Sequence, residues 1–266
     1  MHDIPLFDSL THPTLDGTWI GSVPCKNTLR ELESEMAANN VEWAFAVGMK
    51  DIGGYSLEAY ADYIRSASQK VFPIAYYDFD ESDTGREIVR KLENISRCGY
   101  SGIKVHPGFS RIDLRSEVLR EVLCEAGSRK LPVLLCTFLH RQIHNAIPRS
   151  YLDFGPLLGS LPQISKIILI HGGDVNLLAL MEISRPYRNV LLDLSFTLCR
   201  YEGSSVDLDI RYLLRHFDQR ICVGSDNPQF SLAQFRRRFD ELAAGLDREK
   251  TLNAAHRNLQ SFIGAA

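Results

Sequence analysis

The chain contains no CxxC pair, no GxGxxG and no GxxxxGK[ST], and no apolar run approaching the roughly 18 residues that suggest a membrane span. Each absence excludes something. Six cysteines without paired spacing, in a chain of 266 residues, favour reduced thiols and a cytoplasmic location over a disulfide framework. Without a glycine-rich phosphate loop, the nucleotide-binding forms of an open α/β sheet lose support. No basic segment followed by an apolar one opens the chain, so no signal peptide is read. Charge of neither sign dominates: the net value is -3. The one basic run, Arg236-Arg237-Arg238, falls in a helical pattern and reads as a solvated face, so no nucleic-acid footprint is seen.

What is present is a soluble globular composition, 45% apolar and 24% charged. Short apolar, β-rich runs recur along it: 5–12, 41–49, 71–78, 101–106, 131–137, 166–171, 190–195 and 220–226. Several are nearly continuous in apolar residues, which suits parallel strands covered on both faces. Amphipathic helical stretches separate them, such as 28–39, 56–68 and 84–98. Ser56 reads as an N-cap, Thr84 and Glu87 as a capping box, and Gly99 as a helix stop. A last helix is read over 249–262, and a long connection over 138–164 reads as an active-site loop. Strand alternating with helix eight times predicts an α/β fold, a (β/α)₈ TIM barrel of eight parallel strands with outer helices, as one domain over 1–266. A doubly wound open sheet is the alternative.

In such a barrel the side chains at the C-terminal strand ends converge on one mouth. Here these are His12, Asp78, Lys104, His106, Cys136, His171, Ser195 and Asp226, with His140 and His144 just past the fifth strand. Each also has a structural reading: a strand-end histidine is often simply hydrogen-bonded, Cys136 reads as a small buried hydrophobe, and Asp78 and Ser195 as helix caps. Lys104 is harder to dismiss, because a buried ammonium needs a carboxylate or a substrate as partner. Histidine, aspartate and thiolate suit zinc, and a bound divalent metal would make hydroxide near neutrality. Asp226 then fits a general base and Lys104 a holder of a carboxylate or a developing oxyanion.

The segments that carry these residues resemble the amidohydrolase-2 branch of the amidohydrolase superfamily, in order and over most of the chain. Asp8-Ser9-Leu10-Thr11-His12-Pro13 is similar to its opening D-x-H-x-H-x, and Gly102-Ile103-Lys104-Val105-His106-Pro107 to its G-[IV]-K-[LF]-H-P. Leu131-Pro132-Val133-Leu134-Leu135 resembles the run before its fifth-strand histidine, Ile170-His171-Gly172-Gly173 its H-G-G, and Gly224-Ser225-Asp226-Asn227-Pro228 its G-[ST]-D-x-P. Asn258 matches an asparagine of its last helix. Two positions depart from the pattern: Leu10 stands where the first opening histidine belongs, and Cys136 where the fifth-strand histidine belongs.

The resemblance implies a hydrolase of a small carboxylated or cyclic substrate, an amide or lactone, with decarboxylation within the branch. It implies catalytic roles for Asp226, His171 and Lys104 and a substrate contact from His106; by their positions at or after the ends of strands five and seven, Arg149, Ser195 and Arg200 are added as substrate contacts. The metal set it leaves is His12, His171, Asp226 and Cys136, zinc first. The branch also contains pyrone-dicarboxylate lactonases, similar barrels that hydrolyse without metal. Three routes stay open: a Cys136 thiolate in the missing place, His140 or His144 from the loop, or no metal at all. A catalytically silent barrel that binds a ligand or protein partner is the alternative function, and an aldolase using Lys104 a third. The expected partner is a small molecule, with no nucleic acid and no membrane; homo-oligomers are left open.

Overall fold

The apolar runs have no polar face to offer water, so each must be covered on both sides. In the computed structural model, which describes residues 3–20, 27–66, 69–138 and 150–264, they form eight strands. These are β1 (Leu6–Thr11), β2 (Val41–Val47), β3 (Val71–Tyr76), β4 (Gly102–Val105), β5 (Val133–Cys136), β6 (Ile167–Ile170), β7 (Val190–Asp193) and β8 (Ile221–Cys222). They pair in sequence order, all parallel. Bridges from Asp8 to Val223 and from Thr11 to Asn227 bring the last strand against the first. Ser9 N donates to Val223 O (3.0 Å), Asp226 N to Leu10 O (2.9 Å) and His12 N to Asn227 O (2.8 Å). The fold is a TIM barrel, with helices between the strands.

Alternation splits the apolar residues into two populations. One fills the barrel interior, with Phe7, Phe45, Ile74, Leu134, Ile168, Leu191 and Cys222 among its members. The other packs between strands and helices. Leu10 belongs to the interior cluster and is fully buried. The register of β1 is irregular between Asp8 and Thr11, as at a β-bulge.

The helix signals act as read. Thr28 N donates to Glu31 Oε2 (3.1 Å) at the start of helix Leu29–Ala38, and Thr84 N to Glu87 Oε2 (2.7 Å) before helix Gly85–Arg97. Ser56 Oγ accepts from Ala59 N (3.3 Å), and Gly99 stops its helix at φ 76°. The terminal helical segment runs Arg248–Leu252 and Asn258–Ile263 with a π-turn at Asn253–Arg257 between.

Two expectations change. The segment after β5 is not one long loop: a short turn (Tyr151–Asp153) leads into helix Phe154–Gly159, which buries Phe154, Leu157 and Leu158. The basic run is not a solvated face either. Only Arg237 faces out; Arg236 and Arg238 are 2% and 3% exposed on helix Leu232–Leu242. Arg236 donates to the carbonyls of Ile4 (3.0 Å), Asn39 (2.9 Å) and Asn40 (2.8 Å), and Arg238 holds Asp207 (2.5 Å) and Leu198 O (3.2 Å). Long stems bury while the guanidinium fork finds fixed acceptors. Among the described residues no helix is long and apolar enough to cross a membrane.

Candidate active site

The C-terminal strand ends enclose a cavity of about 300 Å³. His12, Lys104, His106, His171, Arg200 and Asp226 line it, with Trp19, Met49, Phe109, Phe138, Phe196 and Gln229 as further walls.

His12 follows β1. Its Nδ1 lies 2.8 Å from Val47 O, an atom that only accepts, so Nδ1 carries the proton and Nε2 turns a lone pair to the mouth. Lys104 Nζ, at 3.2 Å, donates to that Nε2. Asp226 Oδ1 stands 3.5 Å from the same atom. Trp19 stacks on the ring, 4.7 Å between centroids at 23°. Burial, then the nearby Lys104 charge, hold the His12 pKa below its usual value.

Lys104 is 3% exposed at its place on β4. Burial lowers its pKa, and the charges of Asp226, Cys136 and Asp193 oppose that. Burial alone would raise the Asp226 carboxyl. The Lys104 ammonium in this polar surround opposes that, and the pKa of Asp226 lies below the usual value, so the carboxyl is ionised at neutral pH.

β6 ends on His171. The next residues, Gly172, Gly173 and Asp174, share its positive φ (70°, 60°, 81° and 58°). A Cβ on Gly172 would stand 3.1 Å from Asp193 O, so the turn has room only for glycine there. Gly173 N donates to Thr137 Oγ1 (2.8 Å), and Thr197 Oγ1 to His171 O (2.6 Å). His171 Nδ1 lies 3.3 Å from Ser195 O and 3.4 Å from Ser195 Oγ. Ser195 N and Oγ donate to the two oxygens of Asp193, at 2.6 and 2.8 Å. The relay leaves the proton on His171 Nδ1. Burial first, and Lys104 with it, push the His171 pKa down to about 4, so the ring is neutral.

Cys136 ends β5 facing the interior, 1% exposed. Its Sγ is 3.5 Å from His106 Nε2. His106 Nδ1 accepts from Phe109 N (3.2 Å), so in the neutral ring the proton sits on Nε2 and points at the sulfur.

The structure thus brings His12, Lys104, His106, His171, Arg200 and Asp226 to one cavity. Ser195 lies behind it as a partner of His171, and Cys136 pairs with His106. Asp78 is elsewhere. It lies two residues beyond β3, where the chain has left the mouth, and it pairs with Lys50 (2.8 Å) in the open. His140, His144 and Arg149 lie outside the described residues. Trp19, Phe196 and Asp193 are not among the residues expected from sequence: Trp19 and Phe196 lie in connections, and Asp193 ends β7 within an apolar run.

The donors do not fit a divalent cation well. Among the described residues no three His, Cys, Asp or Glu side chains converge as a metal site. Leu10 is packed in the core, Cys136 is engaged by His106, and the ammonium of Lys104 occupies the free side of His12 Nε2.

No family profile matches the sequence, and no curated protein matches it. Solved structures do. An uncharacterized TIM-barrel protein from Bordetella bronchiseptica superposes with a TM-score of 0.80 at 17% identity, over 98% of this chain and 99% of that one. A probable 2-pyrone-4,6-dicarboxylic acid hydrolase from Acinetobacter baumannii, with citric acid bound, gives 0.71 at 14% identity, over 98% and 100%. A 5-carboxyvanillate decarboxylase from Novosphingobium aromaticivorans, complexed with manganese and a nitrobenzoic acid, gives 0.67 at 11% identity, over 99% and 97%. The chain has the barrel fold of these hydrolases and decarboxylases, the fold that its amidohydrolase-2-like segments imply.

Proposed function

We propose that the chain is a hydrolase of a small carboxylated substrate, a lactone or an amide, with Asp226 as general base. The observation that carries this reading is the ionised Asp226 carboxylate at the cavity, faced by Lys104 and by the unprotonated Nε2 of His12. Likeness in fold to a probable pyrone-dicarboxylate hydrolase supports the substrate class.

In this mechanism Asp226 takes a proton from water as the oxygen adds to the substrate carbonyl carbon. Lys104 Nζ holds the oxyanion that develops. Collapse of the tetrahedral species breaks the C–O or C–N bond, and the leaving oxygen or nitrogen takes the proton from Asp226. Neutral His171 accepts hydrogen bonds through Nε2, and Arg200 binds the substrate carboxylate, with the His106 ring as a wall of the cavity beside it. Phe138 and Phe196, which meet edge to face (5.4 Å, 68°), wall the cavity against water.

The test is turnover of a panel of lactones, amides and carboxylates by the wild type and by Asp226→Asn. The variant is expected to lose about 10²- to 10⁴-fold in kcat/KM. Full activity in Asp226→Asn would overturn the reading. Loss of carbon dioxide from a carboxylate in place of hydrolysis would move the reaction to decarboxylation at the same site.

A further inference from the structure

The least expected contact in the mouth is the one between Lys104 and His12. Two imidazoles and a carboxylate on the strand ends are donor types that a divalent cation uses, yet among the described residues they do not converge as a metal site, and the Lys104 ammonium stands against one of them. We propose that the Lys104 ammonium takes the place of the divalent cation in this mouth, supplying its positive charge and keeping such an ion out. This deepens the reading of the site as hydrolytic, and rests on it only for the location of the active site.

Three observations support it independently. The first is position. Nζ lies 3.2 Å from His12 Nε2, and that nitrogen is the only one of the ring free to bind a cation, because Nδ1 is committed to Val47 O at 2.8 Å. Asp226 Oδ1, the other natural donor, is 3.5 Å from the same Nε2. The ammonium therefore sits against the His12 nitrogen that would bind an ion, with the Asp226 carboxylate beside that same atom.

The second is burial. Lys104 is 3% exposed, on a four-residue strand whose every residue is buried. Its stem is held within the barrel and its head lines the mouth against His12, so the charge stands where an ion would enter. A divalent ion a few ångströms from a buried ammonium would be repelled across a medium that screens poorly.

The third is the neighbouring donors. Leu10 belongs to the interior core and has no lone pair to give. Cys136 faces the interior and is engaged by His106 Nε2. The positions that would complete a coordination shell are closed in the same molecule that places an ammonium against His12 Nε2. One charge replaces two, which suits an ionised Asp226: the pair of Lys104 and Asp226 is neutral, where a divalent ion beside Lys104 would leave the mouth strongly positive.

The test is metal binding, read without substrate. Chelator-stripped full-length protein is titrated with ZnCl₂ and MnCl₂ by calorimetry as wild type, His12→Ala, Lys104→Gln, and Lys104→Gln combined with His12→Ala. Lys104→Gln is expected to bind zinc at least about tenfold more tightly than wild type, and the double variant to lose the gain. Wild-type protein that takes up one equivalent of zinc removed by His12→Ala would overturn the proposal, as would a Lys104→Gln that binds no tighter. Should the variant not fold, the wild type decides: its His12 and His171 ring ¹⁵N resonances are expected to be neither shifted by zinc nor broadened by manganese, and broadening of both overturns the proposal. Failure here leaves Asp226 as the base untouched, since that reading is tested by turnover.

Discussion

Asp8 and Asp193 titrate unlike ordinary carboxylates. Both are fully buried beneath the mouth. Desolvation, the largest cause for each, raises both pKa values from 3.8 to about 7, against hydrogen bonds from Ser225 and Leu10 to Asp8 and from Ser195 to Asp193. Each group therefore binds its proton more tightly folded than unfolded. Its stabilising contribution is complete below pH 3.8 and is lost as pH rises through about 7. His171 has the opposite sign. With its folded pKa near 4 against 6.5 unfolded, it costs stability as pH falls through that interval. The two effects offset each other in the wild type, so single variants must separate them. Relative to wild type, Asp193→Asn is expected to gain in melting temperature as pH rises from 4 to 7.5. A difference that does not change with pH would show that Asp193 is not the titrating group. Nothing in the local sequence announces this carboxylate, which ends an apolar strand. Its partners are set by the barrel, as are those of Trp19, whose stacking on His12 comes from a connection without any period to read.

At the scale of elements, the basic run on helix Leu232–Leu242 gives a sharp contrast between neighbours. Arg236 satisfies carbonyls of Ile4, Asn39 and Asn40, so Arg236→Met should orphan buried acceptors and cost about 1–3 kcal/mol. Arg237 pairs with Glu202 and Glu241 in the open, and Arg237→Met should stay within about 0.5 kcal/mol. Urea midpoints of the two variants check this; equal midpoints would contradict it. The strands were legible because burial on both faces leaves a continuous apolar run, and the caps because they are local hydrogen bonds written in four consecutive residues. The burial of Arg236 and Arg238 was not. A helix shows its charged residues by spacing, whereas these two find their acceptors on β1's approach and on other helices, far away in sequence. Of the mouth, the residues on strand ends were legible by position, since the fold gathers them. Asp78 misled because the connection after β3 carries its carboxylate away from the mouth to the surface, where it pairs with Lys50, a turn of the chain that strand position does not announce.

At the scale of the whole molecule, the barrel closes where its ladder is thinnest. β8 has two residues, pairs with β7 at two positions, and meets β1 through isolated bridges. Low local hydrogen bonding marks the segments that open first. Amides over 221–227 are therefore expected to exchange faster than those of β5 and β6 in hydrogen-exchange mass spectrometry. Equal protection around the ring would contradict the expectation. The same side of the barrel carries His171, Phe196 and Asp226, which leave β6, β7 and β8 with φ of 70°, 63° and 58°. None of these three is glycine, and the left-handed region costs an L-residue roughly 1–2 kcal/mol. In evolutionary terms the mouth is locked by its backbone as well as by its chemistry. Asparagine and glycine are the substitutes such positions accept, and β-branched residues the ones they reject. A saturation library over these three codons should return folded proteins in that pattern even where activity is gone, so that sequence drift at the site is channelled by geometry before selection for catalysis acts.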